Sequence, residues 1–279
     1  MLKIIRMMGL TCLLGVSTLA LAIDGKNKAR EQIDQMMDLS GWNEQIRHME
    51  SSVLAGMEQN PNPELNLEQR ARLRSLFSEA FGAARVQGAV AEGLRNEYDE
   101  KKFTAGVTLL NSTIARKMTK LESAAATPEQ QQALQAYAAT LEQQPPPPER
   151  VELMKKLILS SGGLDVVVDV QMVFVEAMGR AMNPLAPAEK RFSEEQIVQK
   201  LDEMRPQVEE AAKPFLLVSS LYIYRGVSDE DLNEYLALYE SDTGRWLTDM
   251  FHRVTNTSFK SIAANLAQRV VVDVAQNNK

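Results

Sequence analysis

The stretch that decides the fold is SDEDLNEYLALYESDTGRWLTDMF, Ser228 to Phe251. Leu232, Tyr235, Leu236 and Tyr239 recur at i, i+3, i+4 and i+7, the spacing of one face of an α-helix. Ser228 with Asp231 starts that helix in the manner of a capping box. Ser241 is placed to cap a second helix. Gly244 permits close approach of that helix to its neighbour. Leu247, Met250 and Phe251 then continue an apolar face. The stretch therefore predicts a helical hairpin whose corner needs small residues.

Helical periods extend outward from it in both directions. Box-like starts also occur at Asn66 with Gln69, Thr127 with Gln130, and Ser193 with Gln196. Pro128 follows Thr127 at the favoured first helical position. The β-branched runs Val166–Val168 and Val270–Val272 are short and lie inside helical stretches. Pro206 and Pro214 are expected to kink or break the helix that Ser193 starts.

The sequence nearly repeats itself. A shift of 129 places Phe103, Val107, Leu110, Ser112, Arg116, Met118 and Thr119 on Leu232, Leu236, Tyr239, Ser241, Arg245, Leu247 and Thr248. A shift of 127 places Asn66 on Ser193. A shift of 121 places Ser40-Gly41 on Ser161-Gly162 and Ile46 on Val167. The order is kept and the offset only grows, as an internal duplication with small insertions requires. The proline run at 145–148 divides the copies, because four prolines form a stiff extended spacer. The expected fold class is all-α: a first helical unit over 23–144, a linker over 145–148 and a second unit over 149–279. The units are expected to pack together as one structure. At their ends they differ, the first adding Pro128 to Leu141, the second a helix through Phe259, Ile262, Leu266 and Val270.

Residues 1–22 read as a signal peptide. Lys3 and Arg6 precede an apolar run, and Ala20-Leu21-Ala22 forms a small-residue cleavage site. A periplasmic location follows as an expectation. Cys12, the single cysteine, lies inside this leader, so the rest of the chain offers no disulfide and no thiolate metal site. Net charge is −6 overall, and removal of the leader makes the remainder more acidic. Without a Lys/Arg cluster the chain lacks the usual means of neutralising phosphates, so no nucleic-acid partner is expected. No later run is long enough for stable membrane insertion.

The segment over 222–251 resembles the bacterial domain of unknown function 2059 family. That family's pattern is an acidic capped helix ending in an aromatic residue, then a Ser-Pro-x-Gly turn into another helix. Ser228, Asp229, Glu230 and Leu232 match the acidic start, Tyr239 the aromatic, and Ser241 and Gly244 the turn, with Asp242 in place of the proline. A degraded copy runs from Tyr98 to Glu122, with Ala115 where the glycine would stand. The resemblance implies an exported helical protein and brings no catalytic residues.

Chemistry-bearing motifs are scarce. His48 and His252 are the two histidines and show no paired metal spacing. Glu50-Ser51 and Glu240-Ser241 repeat a dipeptide of helical cell-wall glycan hydrolases, and Glu240 near Tyr239 and Trp246 is the better acid candidate. No cofactor is expected. Tyr222, Tyr224, Tyr239 and Trp246 are the candidate binding residues; Ser228, Leu232, Leu236, Ser241 and Gly244 form the structural motif. The first expected function is a non-enzymatic envelope module that binds a protein or peptide between helices. The alternative is a carrier of an apolar ligand, lined by the apolar helix Leu164 to Met182 and its methionines. A glycan hydrolase centred on Glu240 comes third.

Overall fold

The computed structural model describes residues 25, 27–59, 66–183 and 186–277. The leader expectation and the extreme C-terminus lie outside these residues. Among the described residues the chain is helical throughout, with no strand. Helix α1 spans 27–39, followed by α2 (Trp42–Gln59), α3 (Leu67–Phe81), α4 (Ala83–Asn96), α5 (Glu100–Leu110), α6 (Thr113–Ala125) and α7 (Pro128–Thr140). After the prolines come α8 (Pro148–Ser160), α9 (Gly163–Met182), a short 3-10 turn (Ala188–Lys190), α10 (Glu194–Ile223), α11 (Asp229–Glu240) and α12 (Asp242–Asn277). Among these residues no single helix is long and apolar enough to cross a membrane. The bent pair Pro148–Ser160 and Gly163–Arg180, at 59°, reaches that length and composition only jointly. Both of its helices carry core residues, among them Met154, Leu157, Val168 and Ala177.

The ends of these helices obey the same offsets as the sequence. Helix α8 ends 121 residues after α1, and α10 covers the span of α3 and α4 together, 127 residues on. Helices α5 and α6 start 129 residues before α11 and α12. Local chemistry follows. Asn66 and Ser193 each form a complete capping box with the glutamine three residues on. Ser112 accepts from Ala115 N at 3.3 Å, and Ser241 from Gly244 N at 3.0 Å. Gly41 (φ 76°) and Gly162 (φ 65°) both take the left-handed conformation that glycine alone adopts without strain. A Cβ on Gly41 would lie 3.0 Å from Thr119 Cγ2; one on Gly162 would lie 2.8 Å from Thr248 Cγ2. Thr119 and Thr248 are themselves 129 residues apart.

Contacts between the halves are reciprocal as well. Helix α5 packs on α12, and α11 packs on α6. Lys117 pairs with Asp231, while at the corresponding positions Lys102 Nζ sits 5.8 Å from the centre of the Trp246 ring. The chain ends, expected to differ, also do one job. Helix α7 packs on α10, and the last part of α12 packs on α3 and α4. There Ser258 donates to the carbonyl of Ala89 at 3.1 Å, and Phe259 joins Phe81 and Phe174 in an aromatic cluster. The largest core accordingly mixes Ile33, Phe77, Phe81 and Leu94 with Val173, Met250, Phe259 and Leu266. A second core joins Ile114 and Met118 to Met154, Leu157, Leu232 and Tyr235. Burying apolar area at about 25 cal/mol per Å² makes these shared cores the dominant stabilising term.

Three local expectations need correction. Pro148 is not linker but the first residue of α8, with Pro147 at its cap; a proline there loses only an N–H that would have no helical partner. Pro206 and Pro214 do not break α10, which continues to Ile223. Each removes one backbone bond, and the packing of α10 along α9 and α8 carries the helix through. Thr127 makes no side-chain cap, and Gln130 does not reach back, because its oxygen accepts from Tyr222 Oη at 2.5 Å.

One buried charge ties α9, α10 and α12 together. Asp169, 7% exposed, accepts from Arg205, from His252 Nε2 at 2.8 Å and from Asn256 Nδ2 at 3.1 Å. Desolvation pushes its carboxyl up, but the hydrogen bonds and charges of Arg205 and His252 outweigh that and hold it below the ordinary value. Its contribution to stability is therefore complete above the unfolded pKa and lost as pH falls through the lower folded one. Asp169→Ala should cost about 2–3 kcal/mol in urea unfolding at pH 7. That deficit should shrink as the pH is taken below 3.

Glycine substitutions separate strain from propensity. Gly162→Ala must hold alanine at positive φ against Thr248 and should lose about 1–3 kcal/mol. Gly88→Ala, exposed in mid-helix with open space around it, should gain about 0.5–1 kcal/mol. Thermal unfolding of the two variants would show opposite signs.

Candidate functional site

Helix α11 and the end of α10 bring four tyrosines to one cavity. Tyr222 and Tyr224 close α10, and Arg150 of α8 fixes that end by donating to the carbonyl of Tyr224 at 2.7 Å. Tyr235 and Tyr239 stand one turn apart on α11, rings 5.0 Å apart. Ser228 caps α11 by accepting from Asp231 N at 3.2 Å. At its far end Ser241 turns the chain into α12. The corner is so tight that a Cβ on Gly244 would lie 1.9 Å from the carbonyl oxygen of Leu238. Leu232 is fully buried and Leu236 nearly so, and they anchor α11 in the second core.

The cavity has a volume of about 510 Å³ and is lined mainly by apolar side chains. Trp42, Leu109, Leu110, Leu157, Val166, Val167, Leu216 and Phe251 contribute from six helices across both halves. Trp42 and Phe251 stack with ring centres 6.0 Å apart and planes 10° from parallel. Among the described residues Glu122 of α6 is the one ionisable side chain in the lining besides the tyrosines, and no Lys, Arg or His lines it.

Glu122 Oε1 accepts from Tyr224 Oη at 2.5 Å and from Tyr235 Oη at 2.9 Å. Tyr235 Oη lies 2.9 Å from Tyr239 Oη, which closes the network. Among the described residues nothing donates to Oε2. Glu122 is half-buried by area because it faces the cavity, yet protein surrounds it deeply enough that desolvation dominates. Two phenolic hydrogen bonds favour the carboxylate, but burial outweighs them and pushes the carboxyl above its ordinary value. Burial and the nearby carboxyl likewise push Tyr224, Tyr235 and Tyr239 up, so all three keep their protons well past neutral pH. Ser219 Oγ and Thr248 Oγ1, on two more lining residues, are enclosed without a hydrogen-bond partner among the described residues.

Of the candidate binding residues, Tyr222, Tyr224 and Tyr239 line this cavity and Trp246 does not. Trp246 packs edge-on against Phe103 at 5.7 Å, under Lys102. Glu240 is also elsewhere: it is exposed at the end of α11, where its backbone carbonyl accepts from Arg245. Glu50 has a helix-end role instead. It accepts from Ser78 Oγ at 2.8 Å and from Ala83 N at 3.2 Å, supplying the cap that Gly82 lacks for α4. From α9 only the first turns, Gly163, Val166 and Val167, reach the cavity, and its methionines do not. Among the described residues no group of three or more His, Cys, Asp or Glu is arranged to hold a metal.

Sequence reasoning missed Glu122 and Trp42 as site residues; Tyr235, read as core, is core and also joins the hydrogen-bond network. Glu122 left a faint signal: it follows Ala115 and Met118 at seven and four residues on the buried stripe of α6, a carboxylate where an apolar side chain belongs. Its tyrosine partners lie over 100 residues away in sequence. No family model matches this chain, and comparison with curated proteins and with solved structures returns no match.

Glu122 gives a pH signature. A raised folded pKa means the neutral acid stabilises the fold; that contribution is complete below about 4.5 and is lost as pH rises through the raised value. Gln at this position keeps an oxygen for both phenols and does not ionise. Glu122→Gln should match the parent in urea unfolding at pH 4 and exceed it at pH 8. Identical curves at both pH values would mean that Glu122 is not desolvated.

Proposed function

We propose that this chain binds an apolar-bodied small molecule in the cavity between its two halves. A single observation carries the reading: a space of about 510 Å³, within the usual range for ligand sites, apolar over most of its lining and bearing one convergent polar cluster at Glu122. A core packed to ordinary density leaves no such space. Among the three sequence-based expectations this favours the carrier. The glycan-hydrolase reading loses support, since Glu240 stands outside the cavity and Glu122 has no second carboxylate in the lining with which to share hydrolysis.

The peptide-binding reading keeps one favourable observation. Phe192, Val198 and Met204 are exposed, and Phe192 and Met204 border a second groove between α9 and α10. Export to the periplasm through the leader belongs to the same proposal, as does membership in the domain of unknown function 2059 family through Tyr222 to Phe251. Duplication of one helical unit is our reading of its origin, supported by the matched helix ends, the paired capping boxes and the paired glycine–threonine contacts.

Native mass spectrometry of gently purified protein tests the choice. A bound mass of lipid size supports the carrier; a co-purifying protein supports the peptide module. In parallel, the apolar probe N-phenyl-1-naphthylamine should gain fluorescence on binding. Val167→Phe, which fills the cavity, should abolish that gain while leaving the thermal unfolding transition cooperative. An undiminished signal would sink the cavity reading.

A further inference from the structure

We infer that the ligand of this cavity carries a positive charge, an amine or ammonium group on an apolar body. The inference rests on the small-molecule reading and deepens it. Its ground is the composition of the lining. Among the described residues Glu122 is the lone carboxyl there, and no Lys, Arg or His lines the cavity. A ligand carboxylate or phosphate would be buried without a counter-charge, which costs several kcal/mol. An amine would meet the opposite case. Glu122 Oε1 is held by Tyr224 and Tyr235, and no described residue donates to Oε2, which is left to accept from an N–H of the ligand. Both phenols belong to buried tyrosines, one at the end of α10 and one on α11.

The aromatic side chains suit the same ligand. Tyr224, Tyr235, Tyr239, Trp42 and Phe251 all line the cavity, and ring faces attract cations most strongly where water is excluded. Carboxylate and aromatic faces without a competing base form the pattern that recognises ammonium groups. Binding would also resolve the cost described above. A cation beside Glu122 favours its ionised form and offsets the desolvation that pushes its carboxyl up. The cluster belongs to one of two corresponding places in the fold. At the positions 129 residues away, Phe251 stands for Glu122, Gly106 for Tyr235 and Leu110 for Tyr239. The scaffold thus tolerates apolar residues there, and the carboxyl is not required to build the corner.

The test is calorimetric titration of the full chain at pH 7.5 with dodecylamine, dodecanol and dodecanoate, each below its critical micelle concentration. Dodecylamine should bind at least about tenfold tighter than the other two, and Glu122→Gln should remove that preference while dodecanol binding stays the same. Dodecyltrimethylammonium distinguishes the contributions: retained binding assigns the preference to charge and aromatic faces, and tenfold weaker binding assigns it to the hydrogen bond at Oε2. Equal affinity for all three probes, a preference for dodecanoate, or an amine preference that survives Glu122→Gln would overturn the inference and leave the cavity reading standing. Binding of none of them by a protein that unfolds cooperatively would overturn both. Val167→Phe controls for attachment of the amine to the acidic surface, since only cavity binding is lost on filling.

Discussion

Everything in this molecule depends on each half packing its last helical segment against the third helix of the other. The end of α12 lies on α3 and α4, and α7 lies on α10. The two larger cores draw on both halves, while a smaller cluster of Val168, Met172 and Ala212 lies within the second. Phe77, Phe81 and Phe174 require Phe259, and Leu157 and Leu232 require Met118. The free energy of that exchange is mostly apolar burial, which has no direction of its own. Direction comes from a few close backbone approaches: Gly41 under Thr119, Gly162 under Thr248, and Gly244 against the carbonyl of Leu238. At these points a single added carbon would move a helix, so the corners set where the apolar faces meet.

The cavity is a consequence of that arrangement. Its lining draws on helices from both halves, and no local hairpin contains it. The fold spends part of its core stability to keep it. A space of this size forfeits packing contacts, and a buried carboxyl, even with two phenolic donors, is pushed toward its neutral form. Such costs persist where a site is used, and they coincide here in one place. Asp169 is the instructive contrast. Its side chain is little exposed, yet the Arg205 guanidinium supplies opposite charge, His252 and Asn256 add hydrogen bonds, and its carboxyl is held below the ordinary value. Glu122 meets only hydroxyls.

The corresponding positions sharpen the difference between scaffold and site. Ser112 and Ser241 cap the same corner, Gly41 and Gly162 make the same turn, and Thr119 and Thr248 fill the same contact. Those residues do structural work that both halves need. Glu122, Tyr235 and Tyr239 have no counterpart of their own kind; Phe251, Gly106 and Leu110 stand in their places. What both halves share maintains the fold, and what one half alone carries is where the polar chemistry lies.

The sequence by itself determined the all-helical class and several of the helix starts and corners. Ser193 and Asn66 act within four residues, and the stripe Leu232, Tyr235, Leu236, Tyr239 needs only the 3.6-residue period; such interactions are written locally. Only the tertiary structure decided the site. Glu122 meets Tyr224 and Tyr235 across more than 100 residues, Gln130 leaves its cap for Tyr222, and Trp246 turns to Phe103 instead of the cavity. Helical periodicity says which face of a helix is buried, but not which other helix will cover it, and the chemistry of a cavity is set by that second fact.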